Sequence, residues 1–369
     1  MILKILRDIV SIPSYPAEDG KSGEEKYVAF LENFFRKNCS WLKTEKQAVV
    51  GERYNLIASS DCSRGVKLIF CCHLDTVRPT RREQLNPTIK DNRLYGLGAV
   101  DMKGGTAALL YALSQSVAID GIKIIFYCDE EFGFLGMRKL IEEKSFSADL
   151  AIFPEPTNLK IVNGCRGLIE VHVKVKGETA HSKDPRYGSN AILLSTDAFS
   201  ILERRINTFR SPEMGVSVCN LASLDGYSGE KNTKNRDGNR VPDTAKIIIE
   251  ARTSDRKLNA REFLAILEEL ILIGGGFISE TEVKHDLGSF YVNPKSLVKI
   301  EEAIKASGLI SQYDSLDQHG YFDSQMFFEQ YGIPVASFGP GPSSLSHKQD
   351  EYVEIDSLKK ASEVYTRLF

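Results

Sequence analysis

Short apolar runs and amphipathic stretches alternate through the first third of the chain. The opening MILKILRDIV carries Lys4, Arg7 and Asp8 inside an apolar pattern, which predicts an amphipathic helix and lacks the unbroken apolar stretch of a secretion signal. Tyr27, Phe30, Leu31, Phe34 and Phe35 recur at helical spacing, so a second helix turns one apolar face inward. The runs KLIFCC (67–72), IKIIFYC (122–128) and LAIF (150–153) have the length of buried strands. Between the first two, the Ala/Leu-rich part of DMKGGTAALLYALSQS predicts a helix. Strands alternating with helices imply an α/β domain with a mixed, largely parallel sheet. Ligands of such sheets bind beyond the carboxyl ends of the strands, and here each apolar run ends in polar residues.

From about residue 166 the pattern changes. LIEVHVKVKG (168–177) alternates with period two, and a helical pattern then runs through Ile192, Phe199, Leu202 and Ile206. Strand-like stretches follow around 215–224 and 245–252, then a helix over 261–272, a break at Gly274–Gly276 and a strand at 281–285. This β-α-β-β-α-β order predicts a ferredoxin-like domain. The tail returns to the α/β alternation of the first third, with helices at 296–306 and 323–331 and a strand at 333–338, so the second domain is inserted. The expected division is residues 1–165 with 287–369, and 166–286 between them. Residues 226–240 (GYSGEKNTKNRDGNR) read as a mobile polar loop.

Composition narrows the function. Of 369 residues, 47 are basic and 50 acidic, a net charge of −3, which argues against a nucleic-acid partner. No apolar run reaches the roughly 18 residues of a membrane span. Seven dispersed cysteines without a C-x-x-C pair fit a reducing, cytoplasmic setting. With only six histidines, any transition-metal site must draw mostly on carboxylates.

Five places carry candidate chemistry. His73-Leu74-Asp75 follows a strand and suits either a surface turn or a metal-binding imidazole whose second N–H the Asp75 carboxylate accepts. YGLGAVDMKGG (95–105) fails the dinucleotide fingerprint, because Asp101 stands at the sixth position; its glycines serve a tight turn, a cation site, or both. Asp129-Glu130-Glu131 is either a solvated acidic loop or a cluster compensated by something positive. Glu155 in FPEPT and His347 in GPGPSSLSHKQDEY complete the set. Together, two histidines and three carboxylates can hold two zinc ions and leave one carboxylate as a general base.

The segments HLDT, YGLGAVDMKGG, DEEFG, PEPT, GETAHSKDPRYGSNA, NRVPDTA, EART and SHKQDEYV resemble, in order, those of the co-catalytic dizinc amidohydrolases that include acetylornithine deacetylase, succinyl-diaminopimelate desuccinylase, aminoacylase and carboxypeptidase G. Leu97 departs from the Arg that many relatives carry. The resemblance implies a zinc-peptidase-like catalytic domain and an inserted dimerisation domain that acts as a lid. It also implies two Zn2+ ions, with Co2+ or Mn2+ as substitutes. His73 and Glu155 would hold one ion, Glu131 and His347 the other, with Asp101 bridging before a cis Asp101–Met102 peptide. Asp75 would orient His73, and Glu130 would be the general base. His181 would stabilise the oxyanion from the partner subunit, while Arg252 and Asn239 would contact substrate. The implied activity is hydrolysis of an N-acyl amino acid in amino-acid biosynthesis. A carboxypeptidase or dipeptidase acting on small peptides, and a catalytically dead ligand-binding homologue, are the alternatives.

Overall fold

The computed structural model describes residues 1–16, 23–229, 236–319 and 321–369. Part of the loop expected to be mobile, residues 230–235, thus lies outside the described residues. Two compact units emerge: 1–163 with 292–314 and 326–369, and 164–291 with 315–325.

The first unit is built on a six-stranded mixed sheet. Its strands are β1 (Lys43–Val50), β2 (Arg53–Ser59), β3 (Leu68–His73), β4 (Ile122–Tyr127), β5 (Leu150–Phe153) and a last strand, Val335–Ser337, in the order β1-β2-β4-β3-β5-last. The last four run parallel, and the β1–β2 hairpin joins antiparallel to β4. That hairpin escapes the hydrophobic pattern because β1 is an edge strand with its first four residues exposed, so it carries charge where a buried strand carries Val or Ile. Strand β3 is buried throughout, as its unbroken apolar run requires.

Helix α3 (Lys103–Gln115) is buried from Lys103 through Leu110 and is apolar on nearly every side, which is the signature of a central helix. It packs against helix α1 (Ile2–Val10) and the C-terminal helix Ile355–Leu368. Gly105 permits its closest approach, since a Cβ there would run into the main-chain oxygen of Pro154. Helix α2 (Glu24–Asn38) covers the sheet near β2, with Phe35 set 5.9 Å from Phe126, and helix α4 (Leu135–Glu143) packs against β1 and β2. Among the described residues, no helix is long and apolar enough to cross a membrane. All seven cysteines are free.

The second unit runs β6 (Gly167–Lys176), helix α5 (Ala191–Ile206), β7 (Val218–Tyr227), β8 (Thr244–Thr253), helix α6 (Ala260–Ile273) and β9 (Phe277–Leu287). Its sheet order, β7-β8-β6-β9, is antiparallel throughout, the ferredoxin-like arrangement predicted from the sequence. Ile169, Val171, Val173 and Val175 project from one face of β6 onto Leu202 and Ile206 of α5 and Phe263 and Leu267 of α6. Both helices start on an Asn cap: Asn190 accepts from the Ile192 N–H and Asn259 from the Glu262 N–H, each at 3.0 Å.

Candidate metal centre

Because β3, β4 and β5 are parallel, their carboxyl ends open on the same edge of the sheet, in the order His73, Tyr127–Asp129 and Phe153–Glu155. His73 is the last residue of β3 and is buried. Asp101 arrives from the loop before α3, and its peptide bond to Met102 is cis, as the resemblance implied. His347 follows the Gly/Pro-rich turn after Val335–Ser337 and lies exposed.

These residues meet. His73 Nε2 is 3.1 Å from Asp101 Oδ1, and His347 Nε2 is 3.7 Å from Asp101 Oδ2 and 3.0 Å from Glu131 Oε2. Ligand atoms of His73, Asp101 and Glu131 all fall within 4.8 Å of one another. Glu155 is buried at the end of β5, and its charge reaches the His73 imidazole. The charge of Glu130 acts on the same ring.

Asp75 differs from its expected posture. His73 Nδ1 is 3.0 Å from the Asp75 main-chain oxygen, while the carboxylate Oδ1 stays at 3.8 Å. The carboxylate instead accepts the backbone N–H groups of Glu130 and Glu131, both at 3.0 Å. It ties the acidic turn to the end of β3, and the carbonyl two residues after the histidine fixes the tautomer. An accepting oxygen at Nδ1 leaves Nε2, 3.1 Å from Asp101 Oδ1, as the nitrogen open to a further partner.

The electrostatics describe a site that attracts cations. Burial works against the His73 cation, but its bond to Asp101 and the charges of Glu155, Glu130 and Asp101 outweigh it and hold the pKa well above the ordinary value. At His347 the bond to Glu131 raises the pKa to about 9 against the cost of burial. Burial raises Asp75 to about 7. Asp101 resists the same burial effect and lies below its ordinary value, because His73 and His347 stabilise its charge.

Two residues that the sequence patterns did not single out are buried beside the Asp101 loop, and the first supports it directly. Glu351 is buried and accepts backbone N–H groups from Gly98 at 3.1 Å, Val100 at 2.8 Å and Asp101 at 3.2 Å. Strand pairing of Tyr352–Glu354 with Arg93–Tyr95 brings it there, a contact 250 residues long in sequence that no local pattern announces. Lys103 is buried, donates to the Ile12 carbonyl at 2.8 Å and lies 5.4 Å from the Tyr27 ring centroid, and burial lowers its pKa to about 7.

A family model described as Peptidase family M20/M25/M40 matches residues 69–369. The chain belongs to the M20 peptidase family. Its relatives include the acetylornithine deacetylases of Buchnera aphidicola subsp. Schizaphis graminum (26% identical over 382 residues, 99% of this chain and 96% of that protein) and Klebsiella pneumoniae (27% over 391 residues, with the same coverage). Among solved structures, a tripeptidase from Staphylococcus aureus superposes with a TM-score of 0.77 at 23% identity, covering 100% of this chain and 96% of that one. A Bacillus subtilis protein described as a dinuclear metal binding peptidase of the M20 family gives 0.69 at 14% identity, with the same coverage. The protein is accordingly a metal-dependent amide-bond hydrolase of the M20 family.

The residues present fit a metal. Imidazole nitrogen and carboxylate oxygen are the donors zinc, cobalt and manganese accept. The carboxylates here lie against two imidazoles whose protons they hold. A metal ion must displace those protons. Affinity should therefore rise with pH until His347 has lost its proton near 9, and binding at pH 7.5 should release protons. Calorimetry in buffers of different ionisation enthalpy measures that release; binding with no proton release would exclude His347 and His73 as ligands.

His181, Asn239 and Arg252 belong to the second unit. The Lys183 backbone N–H donates to His181 Nδ1 at 3.1 Å, so the neutral ring carries its proton on Nε2 and presents an exposed donor. His181 pairs in an antiparallel bridge with Arg240, and the carbonyl of exposed Asn239 accepts the Ser182 N–H at 3.0 Å. Arg252, on β8, is oriented by Glu250, with Nε and Nη2 at 3.1 and 3.0 Å from its carboxylate.

Proposed function

We propose that the protein hydrolyses the amide bond of an N-acyl amino acid with two zinc ions as cofactors, cobalt or manganese being possible substitutes. The meeting of His73, Asp101, Glu131 and His347 beside Glu130 carries this reading. In it, His73 and Glu155 would hold one ion and Glu131 and His347 the other, with Asp101 shared between them. When bound, such ions supply Lewis acidity toward the amide carbonyl and acidify water to near neutrality. Glu130 takes the proton of the attacking water and delivers it to the leaving amine. Arg252 grips the substrate carboxylate through its guanidinium fork, and Asn239 contacts the substrate nearby.

His181 donates its Nε2 proton to the oxyanion of a neighbouring subunit, so the second unit is both lid and dimerisation domain. The deacetylase relatives favour an acetylated amino acid as substrate, and a cytoplasmic role in amino-acid biosynthesis accords with the free cysteines. A second reading, a small-peptide peptidase, draws on the tripeptidase that shares this fold. A hydrolysis screen of N-acetyl and N-succinyl amino acids and dipeptides, with and without added zinc, separates the two. Zinc-dependent turnover of N-acetyl amino acids above dipeptides is expected; the reverse order establishes the peptidase, and no turnover of any of them overturns both substrate readings.

A further inference from the structure

The acidic turn that carries Glu130 and Glu131 is held at its other end by an ion triad of two buried carboxylates and a partly buried arginine. Arg53 on β2 sends Nε and Nη2 to the two oxygens of Glu24, at 2.7 and 2.8 Å, and Nη1 to Asp129 Oδ1 at 2.6 Å. Glu24 is fully enclosed at the start of α2, and its Oε1 also accepts the Asp129 N–H at 3.2 Å. Asp129 takes a left-handed backbone conformation, with φ of 68°, which Asp tolerates better than most residues. Its second oxygen, Oδ2, accepts the N–H groups of Gly133 at 3.0 Å and Leu135 at 3.3 Å, while its main-chain oxygen accepts that of Phe134 at 2.7 Å.

Asp129 is thus the first of three consecutive acids but is spent on folding the turn. The two acids after it face the metal centre, with their backbone N–H groups fixed by Asp75. Segment 130–131 is clamped between Asp75 on one side and Asp129, through Arg53 and Glu24, on the other. A guanidinium can satisfy both carboxylates at once because its five donors form a planar fork; a lysine ammonium cannot reproduce the bidentate contact with Glu24 while reaching Asp129.

We propose that Arg53, paired with Glu24, is a positioning residue that sets Glu130 and Glu131 for catalysis and metal binding through Asp129. This inference rests on the reading of Glu130 and Glu131 given above. Its test is Arg53→Lys in the full chain, followed by circular dichroism, zinc affinity by chelator competition, and steady-state kinetics per folded molecule. The expected result is a folded protein with zinc affinity or kcat reduced roughly 10–100-fold, as for other residues that orient metal ligands, and KM little changed. A folded Arg53→Lys protein that only melts at a lower temperature, with parental zinc affinity and kcat, would overturn the inference. Should the lysine variant not fold, Glu24→Gln, which keeps the shape and one accepting oxygen, is subject to the same criteria. Glu131→Gln is measured in parallel. If that variant keeps both its metal and its turnover, the assignment of the site itself is wrong; if it is impaired while Arg53→Lys is not, only the positioning role falls.

Discussion

Replacing Glu130 with alanine should lower kcat by about 10²–10⁴-fold, the usual worth of a positioned general base, while the chain keeps its full metal content. Glu130 and Glu131 are adjacent on one turn, yet their surroundings differ. Glu131 lies 3.0 Å from His347, and its carboxylate is within 4.8 Å of donor atoms of Asp101 and His73. Glu130 is half-buried, has its backbone pinned by Asp75 and directs its charge toward His73. Metal analysis beside steady-state kinetics distinguishes the two roles. Undiminished turnover by metal-loaded Glu130→Ala would remove Glu130 as the base, and loss of metal would make it a ligand.

His181→Ala is the second large expected effect, a fall of about 10²–10³-fold in kcat with metal retained, the loss that follows removal of one oxyanion donor. The ring is prepared for donation by the Lys183 N–H on Nδ1, which leaves Nε2 to carry the donor proton. The proposed action across subunits has its own signature. A dimer formed from one His181→Ala and one Glu130→Ala chain would contain a site with both residues intact, supplied by different chains. Mixing the two inactive variants under subunit exchange should therefore restore part of the turnover. A mixture that exchanges subunits yet stays inactive would place His181 in its own chain's site or outside catalysis.

The legible parts of this molecule are those where local pattern and tertiary role coincide. Strands β3, β4 and β5 are apolar because both their faces are covered, and the residues at their ends are chemical because that is where a parallel sheet opens. The alternation in β6 likewise announces one packed face, and Gly274–Gly276 marks the end of α6. What the sequence hid depends on partners distant along the chain. β1 carries charges at an exposed edge, so its periodicity is weak. Glu351 is one acid in a polar tail until the pairing of 352–354 with 93–95 carries it under the Asp101 loop. Asp75 shows the same limit at closer range. Its spacing from His73 suggests a carboxylate–imidazole pair, but the main-chain oxygen takes that position and frees the carboxylate for the turn at 130–131. Arg53 and Glu24 are ordinary surface residue types, and their burial appears only when α2 and β2 close over Asp129.

The central claim is that one centre, built from His73, Asp101, Glu131, Glu155 and His347, holds two metal ions on which hydrolysis depends. Its most direct test is a zinc titration of the chelated protein, with bound metal and turnover of an N-acetyl amino acid recorded at each addition. The metal-free chain should be inactive, and recovery should be complete at two equivalents of zinc. Hydrolysis by the metal-free chain at the full rate, or saturation of activity without stoichiometric binding, would contradict the claim.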